Sequence, residues 1–234
     1  MAIITTPNIR IAGIAACVPK KEVDNMDYKW ISEKERESFI KQVGVRKRRV
    51  VDDKTTTSDM CFVATEKLLD KLKWDKKDIE ALIYVTQSND YVIPATGIIL
   101  QDRLGLAHNC LAFDINLGCS GYVYGLSVVG SLMSSGNIKK AILLVGDTST
   151  YNASYRDKST YPLFGDAGTA TCIEYVEGYP PITYNLQSDG SGYKAIYIPD
   201  GGIRHYITKD SFKQRKIADG IYRSNIQLAL NGVQ

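Results

Sequence analysis

The sequence lacks a long hydrophobic run, a large excess of charge and any C-x-x-C pair of cysteines. No apolar stretch approaches the roughly 18 residues that a membrane-spanning helix needs, and the N-terminus lacks the basic-then-apolar pattern of a signal peptide. We therefore expect a soluble cytoplasmic protein that does not associate with a membrane. The formal net charge of +3 does not indicate nucleic acid as a partner, but it would tolerate an anionic ligand or an acidic carrier protein.

The five cysteines are odd in number and widely spaced. This pattern argues against a zinc site or a dithiol, and we expect no metal. Most of the cysteines lie within apolar runs, and we interpret four of them as core residues: Cys17, Cys61, Cys110 and Cys172. Cys119 has different neighbours, with Gly118 before it and Ser120 and Gly121 after it.

Short apolar runs alternate with helical patterns along the chain. Strands are predicted over 9–18, 81–86, 111–115, 141–145 and 170–176, and helices over 95–104 and 120–135, besides a helix that Ser58 and Asp59 can cap. This alternation predicts an α/β fold with a mixed, mainly parallel sheet covered by helices. The runs 81–86, 111–115 and 141–145 are apolar enough to predict strands buried on both faces. The helix over 120–135 is apolar nearly all round and is expected to be buried.

The segment over 113–126 reads Phe-Asp-Ile-Asn-Leu-Gly-Cys-Ser-Gly-Tyr-Val-Tyr-Gly-Leu. A strand ends, a short turn follows, and Cys119 falls at or just before the first turn of the apolar helix. The unpaired N–H groups and the positive end of the helix dipole favour a thiolate and could hold an oxyanion formed from a thioester carbonyl. We expect Gly118 and Gly121 to leave room for a substrate. An arbitrary cysteine would more often be a buried structural residue, but this position favours a nucleophile.

This segment resembles the active-site stretch of the ketoacyl-acyl-carrier-protein synthase III family, within the thiolase superfamily. Further segments that resemble the family are the Gly-Val-Arg-Lys-Arg-Arg run over 44–49, the strand-then-proline stretch over 84–94 and Phe-Gly-Asp-Ala-Gly-Thr-Ala-Thr over 164–171. The resemblance covers essentially residues 9–234. It implies a fold of two similar halves, with an N-terminal thiolase-like half over 1–178. Residues 179–234 would then be a linker and tunnel-covering segment that leads to a C-terminal half.

The resemblance implies an acyltransferase of the 3-oxoacyl-acyl-carrier-protein synthase III type. Acyl-coenzyme A or acyl-carrier protein would load Cys119 as a substrate, with no permanently bound cofactor, and decarboxylative condensation with malonyl-carrier protein would follow. The family's catalytic His and Asn belong to the C-terminal half, so we expect these 234 residues alone to be inactive in condensation. His108 and His205 are expected on the surface or in a loop. The resemblance also implies a homodimer and acyl-carrier protein as a partner.

Three more positions carry expectations about substrate binding. Arg46 lies in the segment that resembles the family's basic stretch near the nucleotide end of the cofactor tunnel. Lys158 corresponds to a phosphate-contacting arginine, and a lysine there loses the two-pronged geometry. Ile93 matches the position that reaches across the dimer to close the partner's acyl pocket, where a phenylalanine is common. The smaller side chain suggests a longer or bulkier acyl group.

Two features bear on the acyl donor. Ser38 and Gln42 replace the tryptophan and arginine that often sandwich the coenzyme A adenine in this family, which favours a donor carried on protein. The basic run over 46–49 is interpreted first as a solvated edge or loop, and secondly as an attraction for an acidic carrier or a phosphate.

Two alternatives stay open. The chain could belong to an enzyme that transfers the acyl group to an alcohol or amine without decarboxylation. It could also be a non-catalytic dimerisation or carrier-binding fragment.

Overall fold

A computed structural model of the protein describes residues 2–231. Within these residues the strands are β1 (Ala2–Thr6), β2 (Ile9–Cys17), β3 (Glu22–Asp24), β4 (Lys47–Arg49), β5 (Ala81–Val85), β6 (Leu111–Ile115), β7 (Lys140–Asp147), β8 (Ala167–Tyr175), β9 (Ile182–Leu186), β10 (Ile196–Tyr197), β11 (Arg215–Ala218), β12 (Ile221–Arg223) and β13 (Ala229–Leu230). The α-helices are α1 (Glu33–Val43), α2 (Thr57–Leu72), α3 (Thr96–Arg103) and α4 (Gly121–Met133). None of the helices described is long and apolar enough to cross a membrane.

The chain divides into two compact units, each assembled from three separate stretches. The first unit contains residues 2–19, 51–148 and 167–187, and the second contains residues 20–50, 149–166 and 188–231. The division does not follow the expected boundary at residue 178, because β9 pairs with β1 inside the first unit. The role expected for 179–234 as a linker and tunnel cover stays a prediction.

The first unit is built on a five-stranded sheet with the strand order β2-β8-β7-β5-β6. Strands β7, β5 and β6 run parallel, whereas β2 and β7 pair with β8 in the antiparallel direction. The predicted α/β fold with a mixed sheet is therefore confirmed. The prediction that β6 is buried on both faces is wrong. It is an edge strand that pairs only with β5 among the described residues, so its side chains are half-buried or exposed.

Helix α2 covers one face of this sheet. Its N-cap is Thr56 and not Ser58, because the Thr56 side chain accepts a hydrogen bond from the Asp59 N–H while the Asp59 carboxylate accepts one from the Thr56 N–H. This reciprocal pair satisfies two of the amide groups that an α-helix leaves free at its start. The buried face of α2 belongs to a core cluster that also contains Leu82, Tyr84 and Leu144 of the sheet.

Helix α4 covers the opposite face and packs very closely on it. A Cβ atom at Gly121 would lie 2.7 Å from Val85 Cγ1, and one at Gly125 would lie 2.7 Å from Leu143 Cδ1. The glycines therefore let the helix approach the strands, which any larger residue would prevent. The expectation of burial all round holds for one side of α4 only, since Val123 on another side is 46% exposed.

The Phe-Gly-Asp-Ala-Gly segment has a packing role at the start of β8. Gly168 pairs with Gly146 across the sheet, and a Cβ atom at Gly168 would lie 2.6 Å from the backbone nitrogen of Cys61 in α2. A Cβ atom at Gly146 would lie 2.3 Å from the Ala167 carbonyl oxygen. Two facing glycines thus provide the space into which the first turns of α2 fit.

Residues 47–49 of the basic run form strand β4 of the second unit. Strand β4 pairs with β3, so the run is part of a ribbon and not a solvated loop. Arg48 is only 6% exposed. Its guanidinium donates to Asn25 Oδ1 at 3.1 Å and to the Phe164 carbonyl at 2.9 Å, and it stacks 4.5 Å from the centre of the Tyr161 ring. The interpretation of a solvated edge is therefore wrong for Arg48, which is a core residue of this unit.

Candidate functional site

Cys119 lies in the turn that joins β6 to α4. Its side chain is exposed, and it precedes the first helical residue, Gly121, by two positions. The turn is closed by a hydrogen bond of 2.7 Å from the Gly121 N–H to the Gly118 carbonyl. The N-cap residue Ser120 makes no side-chain capping bond, so it does not occupy the amide groups of the first helical turn. An exposed thiol just before a helix start that no side chain caps is a position that thioester chemistry can use.

The other cysteines are placed as core residues. Cys61, Cys110 and Cys172 are buried. Burial raises the pKa of Cys61 and of Cys172 to about 12 and that of Cys110 to about 11, because the thiolate loses its hydration. Cys17 is half-buried and packs against the same core cluster as Cys61. Among the five thiols, Cys119 is thus the one that solvent reaches freely.

The side chain of Gln87 lies directly against Gly118, the residue before Cys119. A Cβ atom at Gly118 would lie 2.5 Å from Gln87 Oε1 and 4.0 Å from Gln87 Nε2. The space at Gly118 is therefore occupied by this amide, and the space at Gly121 by Val85. The expectation that these two glycines open a path for substrate is wrong, because both serve close packing.

A carboxylate holds Gln87 in place. Asp147, at the end of β7, accepts three hydrogen bonds on Oδ1: from Thr86 Oγ1 at 3.0 Å, from the Gln87 N–H at 2.7 Å and from Ser88 Oγ at 3.1 Å. The Thr148 N–H also donates to Ser88 Oγ at 3.0 Å. The turn after β5 is thereby tied to the end of the neighbouring parallel strand.

Gln87 and Asp147 were not predicted as site residues. A signal was present, because Gln87 directly follows the apolar run 81–86 and Asp147 lies two residues after the run 141–145. The carboxyl ends of parallel strands meet at one edge of a sheet, where α/β proteins usually bind ligands.

Ile93 lies in the loop between β5 and α3, and its side chain is 83% exposed. Val92 beside it is 99% exposed. The base of the loop is fixed, because the Asp90 N–H donates to Thr96 Oγ1 at 3.0 Å and Asp114 accepts from the Thr96 N–H at 2.7 Å. Asp114 belongs to β6, the strand that leads to the turn with Cys119. One strand therefore positions both the thiol turn and the apolar loop.

Arg46 and Lys158 belong to the second unit, whereas Cys119 and Ile93 belong to the first. Arg46 pairs with Asp24 at 3.3 Å. Lys158 pairs with Glu35 at 3.0 Å, and that hydrogen bond raises the pKa of Lys158. Both cations thus already have carboxylate partners within their own unit.

Lys158 in turn helps to lower the pKa of its partner, Glu35. The pKa of Glu35 falls to about 2, first through hydrogen bonds from the backbone and side chain of Ser32 and then through Lys158. A phosphate at this lysine would have to share the ammonium group with Glu35 or displace the carboxylate.

Both histidines belong to other parts of the chain than the turn that contains Cys119. His108 is exposed and precedes β6, whereas Cys119 follows it, so the length of the five-residue strand, about 16 Å, separates them. His205 is exposed and lies in the second unit. Residues 2–231 contain no group of three or more His, Cys, Asp or Glu that could hold a metal ion.

Comparisons with known proteins agree on one family. A profile described as 3-oxoacyl-[acyl-carrier-protein (ACP)] synthase III matches residues 113–190. The beta-ketoacyl-[acyl-carrier-protein] synthase III of Syntrophomonas wolfei is 32% identical over 208 residues, which are 88% of this chain and 62% of the relative. The chain thus spans less than two thirds of the length of the curated relatives that it matches.

Solved structures show the same likeness. A crystal structure of a 3-oxoacyl-(acyl-carrier-protein) synthase III superposes with a TM-score of 0.88 at 31% identity, over 97% of this chain and 68% of the other. The 3-oxoacyl-(acyl-carrier protein) synthase of Burkholderia xenovorans LB400 superposes with a TM-score of 0.85 at 40% identity, over 88% of this chain and 59% of the other.

Proposed function

Because the chain belongs to the 3-oxoacyl-[acyl-carrier-protein] synthase III family, we propose that it is the part of an acyltransferase that accepts the acyl group, with Cys119 as the nucleophile. The exposed position of this thiol at the start of α4 is the observation that supports the proposal. The donors are acyl-coenzyme A or acyl-carrier protein, the substrates that the family resemblance implies.

The loading step is a transthioesterification. The Cys119 sulfur forms a bond to the acyl carbon, the bond between that carbon and the donor's sulfur breaks, and the donor thiol takes up the proton that Cys119 gives away. Amide groups of the first turn of α4 stabilise the negative charge that develops on the acyl oxygen. Both half-reactions of a ping-pong mechanism then pass through the acylated cysteine.

The second half-reaction that we propose is decarboxylative condensation with malonyl-carrier protein. In the family this step uses a His and an Asn of a C-terminal half, and His108 lies at the far end of β6 from the thiol. We therefore expect the 234-residue chain to be acylated but not to condense. Transfer to an alcohol or an amine is the second candidate, since it would use the same acylated cysteine.

The proposed assembly is a homodimer. Strand β6 leaves one edge unpaired among the residues described, and its Leu111 is 42% exposed. Exposed apolar edge strands pair readily with another chain, and the apolar loop with Val92 and Ile93 is anchored to the same strand by Asp114. A second copy of this chain would cover both features.

The test is acyl labelling with a matched thiol control. The folded chain is incubated with radiolabelled acyl-coenzyme A or acyl-carrier protein, and intact mass spectrometry counts the acyl groups bound. We expect one stable thioester in the wild type and in Cys17→Ala, and none in Cys119→Ala. Label that persists in Cys119→Ala, or no label on a folded wild-type protein with either donor, would refute the proposal.

A further inference from the structure

The amide of Gln87 is exposed and makes no hydrogen bond within the part of the chain that the structure describes. Its oxygen faces Gly118, the residue before the nucleophile, and its nitrogen is the more distant of the two polar atoms from that glycine. A polar group with two N–H donors and an acceptor oxygen therefore stands beside the thiol turn and is available to a ligand.

Hydrogen bonds fix the backbone of Gln87, from which this amide extends. The Gln87 N–H donates to Asp147, and the hydroxyls of Thr86 and Ser88 on either side donate to the same carboxylate oxygen. Ser88 is also bonded to Thr57 Oγ1 of α2 at 2.8 Å. The backbone of Gln87 is therefore fixed before a ligand binds, and only its side-chain rotamers remain to be ordered.

Because the amide lies against Gly118, an acyl group on Cys119 that extends over this glycine would take water away from the amide. If the acyl group is a plain hydrocarbon, the amide loses hydration and gains no partner, which is unfavourable. If the acyl group carries a hydroxyl or keto oxygen near its carbonyl, the amide can form a hydrogen bond that replaces the lost water.

We propose that Gln87 is a specificity-determining residue that favours short acyl groups with an oxygen substituent over aliphatic acyl groups of equal length. The inference rests on the proposed loading of Cys119. It predicts a donor such as 3-hydroxybutyryl-coenzyme A in preference to butyryl-coenzyme A, because the two differ only by the oxygen that the amide would bind.

The experiment compares the loading rates of these two donors on the full chain by quenched-flow mass spectrometry. Gln87→Leu and Gln87→Met remove the amide and keep an apolar side chain of similar size. Asn109→Leu is the matched control, since it replaces an exposed amide that precedes β6, at the other end of the strand from the thiol. Circular dichroism verifies that each variant is folded.

We expect the ratio of hydroxybutyryl to butyryl loading to fall roughly fivefold in both Gln87 variants, which is the value of one typical hydrogen bond, and to stay unchanged in Asn109→Leu. An unchanged ratio in variants that still accept butyryl groups overturns this inference and leaves the proposed function intact. Absence of loading from either donor on the wild-type chain overturns the proposed function, and the inference with it.

Discussion

Replacing Gly168 by alanine tests how tightly α2 is packed on β8. The new methyl group would lie 2.6 Å from the Cys61 nitrogen, 2.7 Å from Met60 Cβ and 2.8 Å from the Met60 carbonyl carbon. Non-bonded heavy atoms prefer separations of about 3.5–4.0 Å, so the helix must retreat by about 1 Å. Two of the three atoms are backbone, and no change of side-chain rotamer can relieve their contacts.

The cost can be estimated from overpacking in protein cores, which destabilises by about 1–3 kcal/mol. Because α2 places buried residues such as Leu68 and Leu69 in the core cluster, we use the upper part of this range. The lower flexibility of alanine in the unfolded chain returns about 0.4–1 kcal/mol. A net loss of about 2 kcal/mol in the free energy of unfolding follows.

Equilibrium urea denaturation followed by circular dichroism measures this loss. For a slope of about 2 kcal/mol/M, the midpoint of Gly168→Ala should fall by about 1 M relative to the wild type. Gly190→Ala is the matched control, because no heavy atom lies within 4 Å of the added methyl group, and its midpoint should stay close to that of the wild type. Equal midpoints for Gly168→Ala and the wild type would refute the packing argument.

Two further predictions concern the thiols and the assembly. At pH 8, iodoacetamide should alkylate Cys119 first. Cys61 and Cys172 should react only after denaturant unfolds the chain, because their pKa values of about 12 keep them protonated. Rapid alkylation of either buried thiol in the folded protein would contradict the burial described. Leu111→Lys should convert a dimer into a monomer in light scattering, because a charge is placed at the exposed edge of β6. The control Ile203→Lys alters an apolar side chain in the other unit and should stay dimeric, and a Leu111→Lys dimer would exclude this edge as the interface.

The sequence predicted strands and helices correctly where they depend on a local pattern of residues. The apolar runs at 81–86 and 111–115 contain β5 and β6, and the helix predicted over 120–135 contains α4. These elements depend on short-range periodicity.

Prediction failed where a distant partner decides the outcome. Strand β1 was not predicted, because it pairs with β9, which is distant from it in the sequence. The burial of Arg48 was not predicted either, since it depends on Asn25 and on Tyr161 and the Phe164 carbonyl, which belong to a stretch distant in the sequence. The number of neighbours that a strand has in a sheet, which decided the exposure of β6, is likewise absent from its own sequence.

The candidate site shows the same limit. The position of Cys119 before a helix followed from the pattern, but the glycines around it were expected to make space, and the structure fills that space with Gln87 and Val85. Whether a glycine opens a channel or admits a neighbour depends on the opposite element, and a pattern in one segment does not contain that information.

The pairing of β1 with β9 also affects how the protein is made. Thr6 faces Ile182 in this ladder, so β1 has no partner in it until the ribosome has also made β9. At a translation rate of about 5–20 residues per second this wait lasts on the order of ten seconds or more. During that time a nascent Ala-Ile-Ile-Thr-Thr strand is available to chaperones and to neighbouring chains.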